Sequence, residues 1–182
     1  MGSLIIKDMP SSNYRDRTIY NCHTAGVTLA IAVDFSTAGE ILTKRLAGTR
    51  YYAVPYEDLK SKSIQDDFVA FLEKQRMFTR SLHVAGNGIG RFVKIYGSGF
   101  QPTLDRNVYV FLKHVHERFP LNKIYSGGQS GVDEAGVKAG LRLGLHVEVT
   151  LPRGYRMRGE DNLDRSPGLA SAVRRLTRPS LG

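Results

Sequence analysis

The sequence predicts an α/β fold: a single Rossmann-like domain with a mainly parallel sheet of about five strands flanked by helices. Two observations carry this expectation. Short apolar runs alternate along the chain with stretches of helical periodicity, the mark of stacked βα units. The chain also has 182 residues, 41% of them hydrophobic, which suits one domain with a sizeable core.

The elements follow in order. Val27–Phe35 is continuously apolar and reads as a strand buried on both faces. Thr37–Ala47 follows as a helix, with Thr37 and Glu40 at capping-box spacing and Gly48 as the stop. Arg50–Val54 is a second strand, ended by Pro55, and Ser63–Phe78 a helix with Ile64, Phe68, Phe71 and Leu72 on one face. Ser81–Ala85 is a third strand opening into the glycine-rich stretch Gly86–Gly99. A helix over Leu104–Phe119 carries the stripe Val108, Phe111, Leu112 and Val115, a face suited equally to a core or to a homo-oligomer. Lys123–Ser126 is a fourth strand, Val132–Leu143 a helix and His146–Leu151 a fifth strand; an arginine-rich loop leads to a short helix over Pro167–Leu176. The ends, 1–17 and 178–182, read as loosely tethered, and no repeat or linker divides the domain.

Composition narrows the function classes. Lys and Arg number 26 against 17 Asp and Glu, a formal charge of +9, which favours an anionic partner. One cysteine excludes a disulfide framework and an all-cysteine metal site, and no metal is expected. The longest apolar run, Val27–Val33, is far below the ~20 residues that span a bilayer, and residues 1–20 lack a secretory apolar region. A cytoplasmic, membrane-free protein is the expectation.

In such folds ligands bind beyond the carboxyl ends of the strands, so the residues after each strand are the candidates. After the fourth strand come Ser126, Gly127, Gly128, Gln129, Ser130 and Gly131, then Asp133 and Glu134 in the first turn of a helix. Glycines let the backbone approach a ligand, and the first helical N–H groups favour phosphate; the plain alternative is a tight turn. Neither the Walker A nor the dinucleotide-fold spacing is present. Asp133 suits a ribose hydroxyl or a water better than a phosphate. After the third strand, Gly86, Asn87, Gly88 and Arg91 form a second candidate loop, Asn87 offering an amide to a base or ribose edge. After the first, Asp34 is placed to bind ribose or act as a base, with Thr37 as helix cap. After the fifth, Arg153, Tyr155, Arg156 and Arg158 offer guanidinium forks and a stacking ring.

The segment Ile124–Leu151, followed by Pro152-Arg153-Gly154, resembles the SLOG superfamily of Rossmann-like nucleotide-binding proteins, in the branch of molybdenum-cofactor carriers and YpsA-like proteins. Ser126, Gly127, Gly128, Gln129, Gly131, Val132 and Asp133 match that group's Ser-Gly-Gly-Gln-Thr-Gly-Val-Asp signature. Ser130 keeps the threonine's hydroxyl, Arg153 keeps the charge of the lysine in Pro-Lys-Gly, and Leu143-Gly144 falls in place. The resemblance covers the C-terminal third. The preceding half, with Asp34–Glu40 and Ala85–Gly90, departs from the carriers and is similar to uncharacterised proteins of bacteriophages and mobile elements. It therefore implies a nucleotide-type ligand rather than the molybdenum cofactor, with no cofactor required.

Three functions stay open. The first is binding of a nucleotide-derived phosphorylated small molecule, ADP-ribose-like or a cyclic nucleotide, held without turnover. The second, implied by phosphoribohydrolase-like relatives, is hydrolysis of a nucleotide N-glycosidic or phosphoester bond using Asp133, Glu134 or Asp34. The third is DprA-like binding of single-stranded nucleic acid, with Tyr51, Tyr52, Tyr96 and Tyr155 as stacking platforms. His114 and His116 lie two apart on a helix and so make a poor metal pair. Arg174, Arg175 and Arg178 read as a solvated face.

Overall fold

The structure, a computed structural model, describes residues 2–75, 80–159, 161 and 163–179. Its elements are β1 (Leu4–Asp8), α1 (Tyr14–Thr24), β2 (Val27–Ala32), α2 (Ala38–Ala47), β3 (Tyr51–Pro55), α3 (Lys62–Lys74), β4 (Ser81–Gly86) and α4 (Ile89–Tyr96). They continue with α5 (Gln101–Arg118), β5 (Lys123–Ser126), α6 (Val132–Arg142), β6 (His146–Leu151), β7 (Met157–Arg158), β8 (Asp164–Arg165) and α7 (Leu169–Thr177). The main sheet has six strands in the order β1-β6-β5-β4-β2-β3, every neighbouring pair parallel. Among the described residues seven helices flank it, an α/β arrangement consistent with one Rossmann-like domain.

The sixth strand corrects the expectation for the first residues. β1 pairs along its whole length with β6, from Leu4 beside Val147 to Asp8 beside Leu151. An edge strand needs only partial burial, so a short run such as Leu4-Ile5-Ile6 suffices inside a polar stretch. α1 then begins at Tyr14, with Asn13 capping through its side chain to the Arg15 N–H at 2.9 Å. Other differences are smaller. The first expected strand stops at Ala32, because the chain turns at 33–37. The glycine-rich stretch contains α4, and α5 starts three residues early with Pro102 in its first turn. The expected end of the third helix at Phe78 lies outside the described residues. Phe111 and Val115 are fully buried against the sheet, so that stripe is core and not a face for a second copy.

The path sets where a ligand would sit. The chain steps outward from β2 to β3, then returns to place β4 on the other side of β2. The strand order therefore switches between β2 and β4, where a crevice opens beyond the strand ends. Right-handed crossovers put α1 and α2 on one face, in contact with each other, and α3, α5 and α6 on the other.

Alternation along each strand gives the two faces different residues. Toward α3, α5 and α6 point Leu29, Ile31, Leu82, Val84, Ile124, Val147 and Val149, all essentially inaccessible, meeting Phe68, Phe111 and Leu112. Toward α1 and α2 point Thr28, Ala30, His83, Ala85, Glu148 and Thr150. No helix among the described residues is long and apolar enough to cross a membrane.

Candidate functional site

Three loops meet at the switch point, and they are bonded mainly to one another. Asn87 accepts on Oδ1 from the N–H groups of Val33 (3.0 Å) and Asp34 (2.9 Å), and its Nδ2 donates to the Asp34 carbonyl at 3.0 Å. The Ile89 N–H donates to the Ser130 carbonyl and the Val132 N–H to the Asn87 carbonyl. Gly86, Asn87, Gly88 and the segment Ser126–Gly131 are thus neighbours, as their places after strands require. Asp34 and Thr37 adjoin them: Asp34 accepts from Ser36 and pairs with Arg91 at 3.2 Å, and Thr37 caps α2 by accepting from the Glu40 N–H.

The glycine segment is not an open phosphate cradle. Gly127, Gly128, Ser130 and Gly131 are buried. The Gly131 N–H donates to Gln101 Oε1 at 2.6 Å, the Ser130 N–H and hydroxyl both go to the Arg158 carbonyl, and Ser126 Oγ donates to the Val84 and Asp133 carbonyls. Glu134 is equally committed: Lys138 pairs with it at 2.7 Å and Arg175 at 2.7 Å, with Lys138 also reaching Asp105 at 2.8 Å. Arg175 is therefore part of a buried charge network, which corrects its expected place on a solvated face.

What the loops do leave open is a cleft of about 90 Å3 between α1 and α2, floored by β4 and walled by Gly127 and Asp133. Arg17, on α1, reaches across it. Its Nη1 donates to the Gly127 carbonyl at 2.6 Å and its Nη2 pairs with Asp133 Oδ2 at 3.2 Å. Any side chain at position 127 would occupy the place of that guanidinium and carboxylate, which is why a glycine stands there. Thr43, His83 and Asn21 complete the lining with Glu40, whose side chain turns inward from the first turn of α2.

Three buried polar atoms around this cleft have no partner among the described residues: Arg17 Nε, Asn21 Nδ2 and Glu40 Oε2. Unpaired polar atoms in a dry interior cost about 1–3 kcal/mol each, and three of the four found among the described residues, the fourth being Gln129 Nε2, lie around this one small cleft. Burial, with Asp133 and Asp34 nearby, pushes the Glu40 carboxyl up to about 7. Burial also raises the Asp133 carboxyl, against the pull of Arg17. His83 is driven down to about 3 by burial and then by Arg17, so it is a neutral imidazole. Its Nδ1 lies 3.6 Å from Cys22 Sγ, but burial lifts that thiol to about 11; both groups are neutral and form no thiolate–imidazolium pair.

Beside the cleft lies the arginine loop. The Cζ atoms of Arg17, Arg156 and Arg158 lie 5.2, 5.5 and 5.3 Å from the centre of the Tyr14 ring. Asp164 accepts from Arg156 at 2.7 Å, from Arg158 at 2.9 Å and from the Tyr14 hydroxyl at 2.7 Å. Three guanidiniums thus gather on one ring, Arg156 and Arg158 sharing Asp164 while Arg17 pairs with Asp133. Arg153 is exposed on the same loop, and Tyr155, at φ 55°, donates its N–H to Asp8 Oδ1. Of the neighbouring acidic stretch, Glu160 and Asn162 lie outside the described residues.

The tyrosines expected as stacking platforms are not brought together. Tyr52 packs between Phe68 and Phe71, and Tyr96 stacks on Phe100 at 4.5 Å. Among the described residues no group of three His, Cys, Asp or Glu is placed to hold a metal ion. Arg17, Asn21, His83, Tyr14 and the inward role of Glu40 escape sequence reasoning. The available signals were the Asn13–Asp16 helix start and the lone buried-strand histidine. No family model, curated protein or solved structure matches the chain.

Proposed function

We propose that the protein binds a nucleotide or nucleotide-derived phosphorylated small molecule at the carboxyl ends of its strands and holds it without turnover. The observation that carries this reading is the gathering of Arg17, Arg156 and Arg158 around Tyr14 beside the polar cleft at the switch point. Guanidinium forks match phosphate oxygens, and three guanidiniums against two carboxylates, Asp164 and Asp133, keep a positive balance. The phosphate sits on these side chains, because the glycine segment is buried and its Ser130 and Gly131 N–H groups are already taken. Retention rather than hydrolysis fits the state of the acids: Asp133 is tied to Arg17, and Glu134 to Lys138 and Arg175. Dispersal of the tyrosines argues against a single-strand channel.

The test is calorimetry with AMP, ADP-ribose, NAD and a cyclic nucleotide, followed by chromatography of each mixture. Saturable binding without product is expected, weakened at least about tenfold by the double variant Arg156→Gln/Arg158→Gln, a loss of about 1.4 kcal/mol. Release of a free base overturns the retention reading, and failure of every phosphate-bearing probe to bind overturns the function.

A further inference from the structure

The cleft between α1 and α2 differs in chemistry from the arginine loop beside it. Its lining holds two carboxyl groups, Glu40 and Asp133, against the single guanidinium of Arg17, which already pairs with Asp133. A phosphate placed there would face two acids, so the cleft suits an uncharged group. The unpartnered atoms say which kind: Arg17 Nε and Asn21 Nδ2 can only donate, and Glu40 Oε2 is the acceptor. Asn21 is 0% exposed and Glu40 5%, so bulk water does not serve them freely. A hydroxyl group both donates and accepts, so a pair of adjacent hydroxyls carries the donors and acceptors these three atoms call for. The cleft, of about 90 Å3, has room for small hydroxyl groups.

We infer that this cleft is the subsite for the vicinal hydroxyls of the ligand's sugar, with Glu40 accepting from them and Asn21 and Arg17 donating to them. The inference rests on the ligand-binding reading and gives the ligand a direction: sugar hydroxyls inward between α1 and α2, phosphate outward on Arg156 and Arg158.

Recognition of this kind is coupled to protons. Glu40 is faced by Arg17 from α1, His83 from β4, Asp133 from α6, Asp34 from the loop after β2 and Tyr51 from β3. His83 stays neutral down to about pH 3. Glu40 itself titrates near 7 in the free protein. Hydroxyl donors stabilise its charged form, so sugar binding expels a proton below neutrality and the preference for hydroxyls grows as pH rises toward 7.

The experiment compares AMP with 2′,3′-dideoxy-AMP, which share one phosphate and one base, by calorimetry at pH 5.5 and pH 8. The wild-type chain is expected to prefer AMP by at least about tenfold at pH 8 and by clearly less at pH 5.5. Glu40→Gln, close to isosteric, is expected to cut that preference to within about threefold and to make it independent of pH. Equal affinity of the wild type for the two compounds at pH 8 overturns the inference while leaving the ligand-binding function standing; this arm needs no variant. A preference whose size and pH dependence survive Glu40→Gln also overturns it. If neither compound, nor ADP-ribose nor the cyclic nucleotide, binds at all, the functional reading fails and the subsite falls with it.

Discussion

The two faces of the sheet are both covered by helices, yet they are built on different terms. The face under α3, α5 and α6 is a continuous apolar contact in which Phe68, Phe111, Leu112, Val84 and Ile124 exclude water completely. The face under α1 and α2 is floored by Thr28, His83, Glu148 and Thr150, and some of its polar groups are satisfied one by one while others are left unpaired. Tyr20, Lys7 and Lys123 all converge on Glu148, and Thr150 donates to Asn21 at 2.9 Å. Glu148 and Glu40 share this face and both are buried, but their neighbours treat them in opposite ways. Two lysines hold Glu148 below the ordinary carboxylate range against its burial, whereas Glu40, with no ion pair among the described residues, is pushed up to about 7. The comparison teaches that one layer of the molecule is devoted to stability and that the other keeps a charge-bearing group uncommitted at a cost in stability.

Substitutions sharpen this contrast. On the apolar face, Phe111→Ala removes a fully buried ring and should cost about 4 kcal/mol in denaturant unfolding at any pH, with ligand affinity retained in the folded fraction. On the polar face, Arg17→Met leaves Asp133 buried without its cation, a loss of about 3 kcal/mol at pH 8. That loss should shrink toward pH 5 as the abandoned carboxylate takes up a proton; a pH-independent loss would show that Arg17 matters only for packing.

Glu40→Gln should do the reverse and stabilise the chain. The folded Glu40 titrates near 7, above its ordinary 4.5, so the wild type has its full stability below pH 4.5 and loses this share as pH rises through 7. The variant lacks that titration, so its advantage should be nil at pH 4 and level off at about 3 kcal/mol above pH 8. Thermal unfolding across that range reads it directly. The smallest effect is expected from Thr37→Ala, which removes the cap of α2 and should cost about 1 kcal/mol while leaving Glu40 near 7.

The same contrast decides what could be read from the sequence. Helices over the apolar face announce themselves: Phe68 and Leu72 of α3, or Val108, Phe111 and Leu112 of α5, recur at helical spacing because oil must face oil. The strands beneath them read as apolar runs for the same reason. α1 gives no such signal. The positions it turns toward the sheet are Arg17, Thr18, Asn21 and Cys22, so its buried stripe is indistinguishable from a solvated one, and the first 17 residues look loosely held. The site was legible where a loop geometry demands a residue type, as at Gly127, Asn87 and Thr37. Glu40 illustrates the limit: its spacing from Thr37 predicts a helix cap, and only the fold shows the carboxyl turned away from that duty.

The pairing of β1 with β6 has a consequence for how the cleft comes into being. Ser3 Oγ meets His146 Nδ1 at 2.9 Å across 143 positions of chain, and α1 is carried onto the sheet by that same edge pairing. The wall bearing Arg17 and Asn21 is therefore anchored through a strand pairing of very long sequence separation. Loop closure over such a separation is slow compared with the local crossovers that build β2 to β5. The cleft between α1 and α2 thus depends on the most non-local pairing in the sheet, and its closure is expected to lag behind the crossovers that build β2 to β5.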